Sequence, residues 1–495
     1  MHVVRRMKDY QSIRLLTIFS CLISITTITR GHEGHEHSPI AVKPAEMYKP
    51  TAMPDRIVLT LNGDPRTSAA VTWRTSVDVV KGIAEIAEAE ANPYFSEKSK
   101  QIEATSTALK TDINTAHFHT VSFSGLKPDK KYAYRVGDGT NWSEWFHYKT
   151  AAAENEPFSF IYFGDAQNNV RSMWSRVIRE AYSDAPKAAF MLHAGDLINT
   201  AEADAEWGEW FGAGAWINAM TPNVAIPGNH EQAKLDNGKR KLSHHWRPQF
   251  ELPLNGPQGL EETCYTIQYH NMLMIGLNSN EQQETQAQWL NKVLEENTAQ
   301  WVVCTFHHPI FSTGKDRDNK ELRALWKPIF DKYKVDLVLQ GHDHTYGRTG
   351  LQVPETLAEE PELAAVTDVV GKVTNDVGIG SSPASTNVPQ TIANVPTGVQ
   401  KVDNQTGTVY VVSVSGPKMY NHQKQDFMKR VAEDTQLYQV IHIDGGKLRF
   451  EARTAIGDLY DAFELHKQPG KINKLVELEP EVPQNLRAEQ PVPAS

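Results

Sequence analysis

The sequence predicts a mixed α/β protein that is preceded by an all-β module. Three observations lead to this fold class. Short alternating runs separated by turn residues fill positions 54–150, apolar runs alternate with helical patterns from position 158 onward, and five short polar blocks directly follow predicted strands. Strands that alternate with helices form sheets whose carboxyl ends meet at one edge. The 495 residues, 40% of them hydrophobic, suffice for several domains at roughly 100–200 residues each.

Composition excludes several classes of protein. The chain has 50 basic and 60 acidic residues, for a net charge of −10, so we expect no nucleic-acid partner. Three cysteines exclude a disulfide framework and a cysteine-rich zinc module. Cys264 and Cys304 lie in apolar strand-like runs and are interpreted as small buried hydrophobes, although an exported chain would permit a disulfide between them. Because there are 19 His, any metal is expected to be bound by His and carboxylates.

Residues 1–30 resemble a secretory signal peptide. They combine a basic start with the largely apolar run 15–28, which is shorter than the ~20 residues of a membrane span. A buried helix is the alternative. We therefore expect a secreted or periplasmic protein with no membrane span in the mature chain. Residues 31–53, with His32, His35 and His37, are predicted to form a linker, and weak binding of a divalent ion is the alternative.

Residues 54–150 are expected to form a β-sandwich. The runs 57–61 and 70–73 flank the turn sequence Asn-Gly-Asp-Pro at 62–65, and the runs 119–123 and 132–136 continue the pattern. The strand with Trp73 and the run from Leu-Lys-Pro-Asp at 126–129 to Tyr-x-Tyr-Arg-Val-Gly at 132–137 resemble a fibronectin type III-like module. No cluster of chemically active residues occurs in it.

Residues 157–466 are expected to form the α/β domain. Apolar runs of strand length alternate there with helical spacing, and strands return from 409 to 465. Between 351 and 409 the chain has no aromatic residue and no His, which indicates a surface insertion, with a lid beside the site as the alternative. Residues 467–495 form a Pro- and Glu-rich tail. The predicted strands are 158–163, 188–193, 223–226, 272–277, 301–306 and 335–340, and the predicted helices are 170–183, 202–218, 283–297 and 320–333.

Five polar blocks follow the predicted strands. Four of them begin with Gly, which lets the backbone turn sharply beside a ligand. Each block alone is a weak signal, but all five at strand ends predict one shared site. The blocks are Gly-Asp-Ala-Gln at 164–167, Gly-Asp-Leu-Ile-Asn at 195–199, Gly-Asn-His-Glu at 228–231, His-His-Pro at 307–309 and Gly-His-Asp-His at 341–344.

The residue types in these blocks predict a metal centre. Two Asp, one Asn and three His form a mixed oxygen and nitrogen set that suits Fe, Mn or Zn. This set is too large for one tetrahedral ion and fits two ions that share a bridging carboxylate. Two ions about 3.5–4 Å apart can activate water and clamp the oxygens of an in-line phosphoryl transfer.

The order of the blocks resembles that of the calcineurin-like metallophosphoesterases. With the fibronectin-like module in front and Gly-His-x-His-x-Tyr-x-Arg at 341–348, the chain is most similar to the purple acid phosphatases. The resemblance covers about 54–465 without most of the insertion. It implies a four-layer α/β/β/α sandwich, two divalent ions (Fe, Mn or Zn) and a small phosphorylated substrate.

The resemblance also implies roles for individual residues. His307 is preferred to His308 as a ligand because the family ligand lies two residues before the Pro. His230 would face the substrate, stabilising phosphoryl oxygens or protonating the leaving group, with a structural role as the alternative; Glu231 beside it is also assigned as catalytic. The implied ligands are Asp165 and His344 for the first ion, Asp196 as the bridge, and Asn229, His307 and His342 for the second ion.

The chain departs from the purple pattern at Asn199. The purple enzymes have at this position a Tyr that ligates ferric iron and gives the colour. We keep Asn199 among the metal-site residues and predict a colourless centre of two divalent ions. Gln167 stands where non-purple relatives place a metal-binding His. The candidate substrate-binding residues are Gln167, His308 and Arg348, with Lys315 or Arg317 as possible phosphate contacts.

Together, these expectations predict a function. We expect an exported, acid phosphatase-like hydrolase that cleaves phosphate monoesters by attack of metal-bound hydroxide. A phosphodiesterase or nucleotide hydrolase on the same centre is one alternative, and a non-catalytic envelope protein that binds metal or a partner is another. His244 and His245 lie in a Lys/Arg-rich loop, which is interpreted as solvated, with substrate contact as the alternative.

Overall fold

The computed structural model describes residues 41–351, 407–468 and 471–487. The expectations for the signal peptide at 1–30, the first part of the linker, nearly all of the insertion and the end of the tail lie outside these residues. The described residues from Pro44 onward form one compact unit. Its helices are α1 (Pro44–Met47), α2 (Ser175–Asp184), α3 (Asp204–Gly214), α4 (Trp216–Met220), α5 (Trp246–Gln249), α6 (Gln283–Glu295) and α7 (Lys320–Tyr333).

The described strands are numbered along the chain. They are β1 (Asp55–Thr60), β2 (Ala69–Ser76), β3 (Ile83–Glu88), β4 (Lys100–Glu103), β5 (Thr105–Lys110), β6 (Thr115–Phe123), β7 (Lys131–Gly137), β8 (Phe146–Lys149), β9 (Phe158–Phe163), β10 (Met191–His193), β11 (Asn223–Ala225), β12 (Gln232–Lys234), β13 (Arg240–Leu242), β14 (Tyr265–Tyr269), β15 (Met272–Gly276), β16 (Trp301–Thr305), β17 (Leu337–Gln340), β18 (Tyr346–Thr349), β19 (Val409–Val412), β20 (Met428–Ala432), β21 (Leu437–Asp444), β22 (Lys447–Thr454), β23 (Leu459–His466) and β24 (Lys474–Leu478).

The N-terminal strands form two facing layers. Strands β3, β4, β7 and β8 make a four-stranded antiparallel sheet in the order β4-β3-β7-β8. Strands β1, β2, β6 and β5 form the opposite layer, and Trp73, Tyr134, Val136 and Phe146 are buried in their shared core. The alternation of the sequence produces this arrangement because alternate side chains of a strand point to opposite faces.

Two sheets pack face to face and carry the polar blocks. Parallel strands β9, β10 and β11 belong to one sheet, and parallel strands β15, β16, β17 and β19 belong to the other. Met274 and Val303 pack toward the first sheet, whereas the neighbouring Ile275 and Cys304 pack under Trp326 of α7. Strands that are buried on both faces consist of continuous apolar residues, which is the pattern that predicted these strands in the sequence.

The mixed α/β fold with an N-terminal all-β region is confirmed, and three local features differ from expectation. The helix predicted at 202–218 is split into α3 and α4 at Ala215, which has a φ of 43°. The helix predicted at 170–183 begins with a π turn at Val170–Trp174. Strand β10 is three residues long and starts later than the apolar run that predicted it. Cys264 and Cys304 are free and buried, as interpreted from the sequence.

The N-terminal layer continues into the sheet that carries β9–β11. Strand β1 pairs in parallel with β11 at Thr60 and Asn223, so one eleven-stranded sheet runs through both regions. Beside this junction, the carboxylate of Asp204 in α3 accepts hydrogen bonds from both terminal guanidinium nitrogens of Arg56, at 2.7 and 2.9 Å. A guanidinium nitrogen of Arg74 lies 3.5 Å from the same carboxylate. The two regions are therefore joined by strand pairing and by a buried ion-pair network. Among the described residues, no helix has the length and apolar character needed to cross a membrane.

His119 makes the stability of the N-terminal sandwich depend on pH. Its ring is fully buried against Trp73, and both ring nitrogens lie 2.7 Å from a hydroxyl oxygen, of Thr75 and Ser106. Burial, together with the neighbouring His117, lowers the pKa of His119 to about 4. The neutral ring therefore stabilises the fold above the unfolded-state pKa of about 6.5, and this contribution is lost as the pH falls toward 4.

We expect the wild type to lose about 2–3 kcal/mol more stability than His119→Gln between pH 7 and pH 4.5. Urea unfolding of both proteins at the two pH values measures this difference. His147→Gln, at an exposed position of β8, is the matched control and should follow the wild type. Identical pH dependence of the wild type and His119→Gln would contradict the assignment.

Candidate metal centre

The structure brings the polar blocks together at the carboxyl ends of the two facing sheets. Asp165 follows β9, Asp196 follows β10 and Asn229 follows β11 in one sheet. His307 follows β16, and His342 and His344 follow β17, in the other sheet. Side chains separated by up to 179 positions in the sequence therefore face a common space. This convergence is the arrangement that the order of the blocks predicted.

One group of donors consists of Asp165, Asp196 and His344. Their ligand atoms all lie within 4.8 Å of one another, and His344 Nε2 is 3.5 Å from Asp165 Oδ1. The opposite nitrogen, His344 Nδ1, donates to the Lys418 carbonyl at 2.8 Å, so the lone pair of Nε2 faces the carboxylates. Burial lowers the pKa of His344 to about 3, which keeps this ring neutral and able to bind a metal.

The second group of donors surrounds His307 Nε2. This atom lies 3.1 Å from Asn229 Oδ1, 3.1 Å from Asp196 Oδ2 and 3.2 Å from His342 Nδ1. His307 Nδ1 donates to the Ala194 carbonyl at 2.9 Å and thereby fixes the ring. Burial acts to lower the pKa of His307, but the charge of Asp196 outweighs it and raises that pKa to about 9. A cation is thus favoured at this position.

These donors fit two divalent ions. Asp165 Oδ1 is buried and has no hydrogen-bond partner, and the Asp165 and Asp196 side chains are almost fully buried side by side. Burial raises the pKa of Asp165 well above its usual range. Carboxylate oxygens, an amide oxygen and neutral imidazoles form a set suited to Fe, Mn or Zn. Asp196 belongs to both groups, so it is placed to bridge two ions.

Glycine is required where the loops approach these ligands. A Cβ at Gly228 would lie 2.1 Å from Asp196 Oδ1, and a Cβ at Gly341 would lie 2.3 Å from Asp165 Oδ2. Four of the proposed metal-binding residues also have a strained backbone. Their φ angles are positive, a conformation that residues with a side chain rarely adopt. These residues are Asp165 (34°), Asp196 (52°), His342 (75°) and His344 (51°).

Glu231 holds the Asp196 loop, which corrects its assignment as a catalytic residue. Its carboxylate is fully buried and accepts hydrogen bonds from the backbone N–H groups of Gly228 at 2.7 Å, Asp196 at 2.8 Å, Leu197 at 2.8 Å and Ile198 at 3.3 Å. Both carboxylate oxygens accept hydrogen bonds from these amides. Glu231 is therefore a positioning residue.

His230 borders the centre from the solvent side. Its backbone N–H donates to Asp196 Oδ1 at 2.9 Å, and its ring Nδ1 donates to the Asn199 carbonyl. Nε2 lies 4.0 Å from Asp196 Oδ2, and the side chain is 27% exposed. Because a carbonyl only accepts, the proton is on Nδ1 in the neutral ring, and Nε2 is the atom that can gain or lose a proton toward a bound molecule.

The other predicted residues fall into two groups. Gln167 and His308 lie at the site: Gln167 Nε2 donates to Asp196 Oδ2 at 3.1 Å, and His308 lines an open cavity of about 560 Å³ together with Asn229 and His342. Arg348 lies elsewhere. Its buried guanidinium donates to Asp461 at 2.7 and 3.0 Å and to Glu477 at 2.7 and 3.1 Å. The prediction that Arg348 binds substrate is wrong, because its guanidinium group is already hydrogen-bonded to the carboxylates of Asp461 and Glu477.

Asn199 joins the site through its backbone. Its carbonyl accepts the His230 hydrogen bond, whereas its side-chain nitrogen donates to the Thr200 hydroxyl at 3.3 Å. The side chain is therefore directed to its neighbour, in place of the aromatic ligand of the purple pattern.

Arg317 and Arg240 bring positive charge to the edge of the centre. Arg317 donates to the His342 carbonyl at 2.8 Å, and a second guanidinium nitrogen lies 2.8 Å from His342 Nε2. Arg240, which the motifs did not indicate, donates to the Asn229 carbonyl at 2.8 Å and lines the cavity. The Lys418 backbone is a further contact without any signal in the sequence, because a carbonyl can come from any residue type.

Two family models match this chain. Residues 54–150 match the family model described as the purple acid phosphatase N-terminal domain, and residues 158–346 match the calcineurin-like phosphoesterase model. An uncharacterized protein of Mycobacterium tuberculosis is 26% identical over 398 residues, covering 68% of this chain and 72% of that protein. The Fe(3+)-Zn(2+) purple acid phosphatase 12 of Arabidopsis thaliana is 25% identical over 273 residues, covering 51% of this chain and 57% of that enzyme.

A solved structure shares the fold. Purple acid phosphatase PPD1 from yellow lupin (Lupinus luteus) seeds superposes with a TM-score of 0.63 at 16% identity, covering 83% of this chain and 74% of that chain. At this identity the likeness concerns the fold.

The two adjacent histidines provide a matched test of the ligand set. We expect His307→Ala to bind its divalent ions at least about tenfold more weakly, because Nε2 of His307 faces both Asp196 and Asn229. His308→Ala should keep the metal content, because His308 Nδ1 pairs with the Ser279 hydroxyl at 2.8 Å on the cavity wall. Metal per chain after dialysis, measured by elemental analysis, distinguishes the two. Loss of metal from His308→Ala alone would reverse the assignment.

Proposed function

Since this chain is a calcineurin-like metallophosphoesterase that resembles the purple acid phosphatases, we propose that it hydrolyses phosphate monoesters at a centre of two divalent ions. The observation that carries the proposal is the position of Asp196, whose carboxylate belongs both to the group with Asp165 and His344 and to the group around His307. One carboxylate shared by two donor sets is what a binuclear centre needs.

The residues around the centre support phosphoryl transfer. Two such ions, when bound, lower the pKa of water and neutralise charge on the phosphoryl oxygens. His230 is oriented by the Asn199 carbonyl, so its Nε2 can hold the proton that the leaving oxygen requires. Arg317 and Arg240 supply local positive charge in a chain whose net charge is −10. The anionic group would thereby be drawn to the cavity edge rather than to the protein as a whole.

Export is part of the proposal. The basic start and the apolar run at 15–28 support removal of about the first 30 residues during secretion. The proposed location is the periplasm or the extracellular space.

Paired substrates test the reaction. We expect p-nitrophenyl phosphate to be cleaved faster than bis-p-nitrophenyl phosphate, chelation to abolish the activity, and added Fe, Mn or Zn to restore it. Asp196→Ala should lower kcat by at least about a thousandfold, because both ions lose their shared ligand. Asp78→Ala, at an exposed turn after β2, is the control and should retain the wild-type rate.

Two other outcomes would favour a different function. A preference for the diester would favour a phosphodiesterase on the same centre. Wild-type protein that is as inert as Asp196→Ala with every metal would favour a non-catalytic protein that binds metal or a partner.

The absence of a Tyr at position 199 predicts a colourless enzyme. A phenolate bound to ferric iron absorbs visible light, and here the Asn199 side chain is directed to Thr200. We expect the active protein to contain two divalent ions and to show no intense visible band. Absorption spectroscopy of the active protein, with elemental analysis of the same sample, measures both properties. An intense band that mild reduction removes would contradict the prediction.

A further inference from the structure

A second cluster of metal-binding side chains lies apart from the centre described above. Glu202 precedes α3, and His244 and His245 precede α5; each offers one ligand atom, and these atoms all lie within 4.8 Å of one another. Neither family resemblance nor the proposed reaction uses these residues. We propose that Glu202, His244 and His245 form a third, mononuclear metal site that binds Zn²⁺ or a similar divalent transition ion.

His245 lies between two carboxylates. Its side chain is fully buried, its Nε2 lies 3.5 Å from Asp204 Oδ1, and its Nδ1 lies 3.4 Å from Glu202 Oε2. Asp204 is in turn fixed by the two hydrogen bonds from Arg56. A carboxylate behind one ring nitrogen orients the other nitrogen toward an ion, as in carboxylate–histidine–zinc arrangements. The ring of Trp207 stacks on His245 with centroids 6.1 Å apart and limits its rotation.

His244 and Glu202 complete the set of donors. His244 Nδ1 contacts Glu202 Oε2, and the two imidazole rings lie 4.6 Å apart. Glu202 Oε2 is a buried atom whose polar neighbours are these two imidazole nitrogens, and it has no other hydrogen-bond partner among the described residues. Two imidazole nitrogens and one carboxylate oxygen match a zinc site with three protein ligands. His244 and Glu202 are 48% and 36% exposed, which leaves space for water as the fourth ligand.

An ion at this position would join two loops behind the main centre. Glu202 lies on the segment that contains Asn199, whose carbonyl orients His230. The Ser243 hydroxyl already donates to the Ala201 carbonyl at 2.7 Å, and the Ser243 N–H donates to the Glu231 carbonyl at 2.8 Å. The site is therefore structural: it stabilises the loops that position His230 and Glu231.

The test counts zinc ions in the full-length protein. All variants carry His32→Ala, His35→Ala and His37→Ala, so that the N-terminal histidines do not contribute. Isothermal titration with Zn²⁺ and elemental analysis then compare this background with His244→Ala and with the matched control His147→Ala. His244 is half exposed, so its replacement should leave the fold intact, and circular dichroism verifies this.

We expect the background and His147→Ala to bind one more Zn²⁺ per chain than His244→Ala. Adding Asp196→Ala to the background should weaken binding at the main centre and leave the third ion in place, which separates this proposal from the proposed function. Equal zinc content in the background and His244→Ala would overturn the proposal and leave a triad held only by ion pairs. Anomalous scattering from zinc-soaked crystals, with no peak between the three side chains, would also overturn it.

Discussion

The structure of the site depends on burying two carboxylates, Asp165 and Asp196, next to each other. Two negative charges removed from water repel one another, and each loses its hydration, so the arrangement is stable only with positive charge at the same place. His307 lies against Asp196 and has a raised pKa for this reason. Ions at both donor groups would satisfy the same requirement, and the unpartnered Asp165 Oδ1 indicates where one of them belongs.

The surrounding backbone is organised to hold these carboxylates in strained positions. Gly228 and Gly341 leave room for the carboxylate oxygens, and Glu231 fixes four backbone amides of the loops that carry Asp196 and Asn229. A buried carboxylate that is saturated by amides is itself stable, because its charge is satisfied by hydrogen bonds. Rigid loops are what metal ligands need, since ligand positions must be held within about half an ångström.

The N-terminal sandwich contributes to the same framework. Strand β1 extends the sheet that carries β10 and β11, and Arg56 reaches from β1 to Asp204 of α3. Asp204 also lies behind His245, so the ion-pair network at the junction and the proposed third metal site share one carboxylate. The all-β region therefore helps to hold the start of α3, at the end of the loop that follows β10.

The sequence by itself determined the residue types at the strand ends, the order of the blocks and the mixed α/β fold class, because apolar periodicity and glycine turns are local properties. Tertiary structure alone decided which way each side chain points. Glu231 and Arg348 belong to motifs that predicted chemistry, yet one binds backbone amides and the other binds Asp461. The contacts of the Lys418 carbonyl and of Arg240, and the pairing of Glu202 with His245, could not be predicted from the sequence, since contacts between distant segments depend on how the sheets and loops pack.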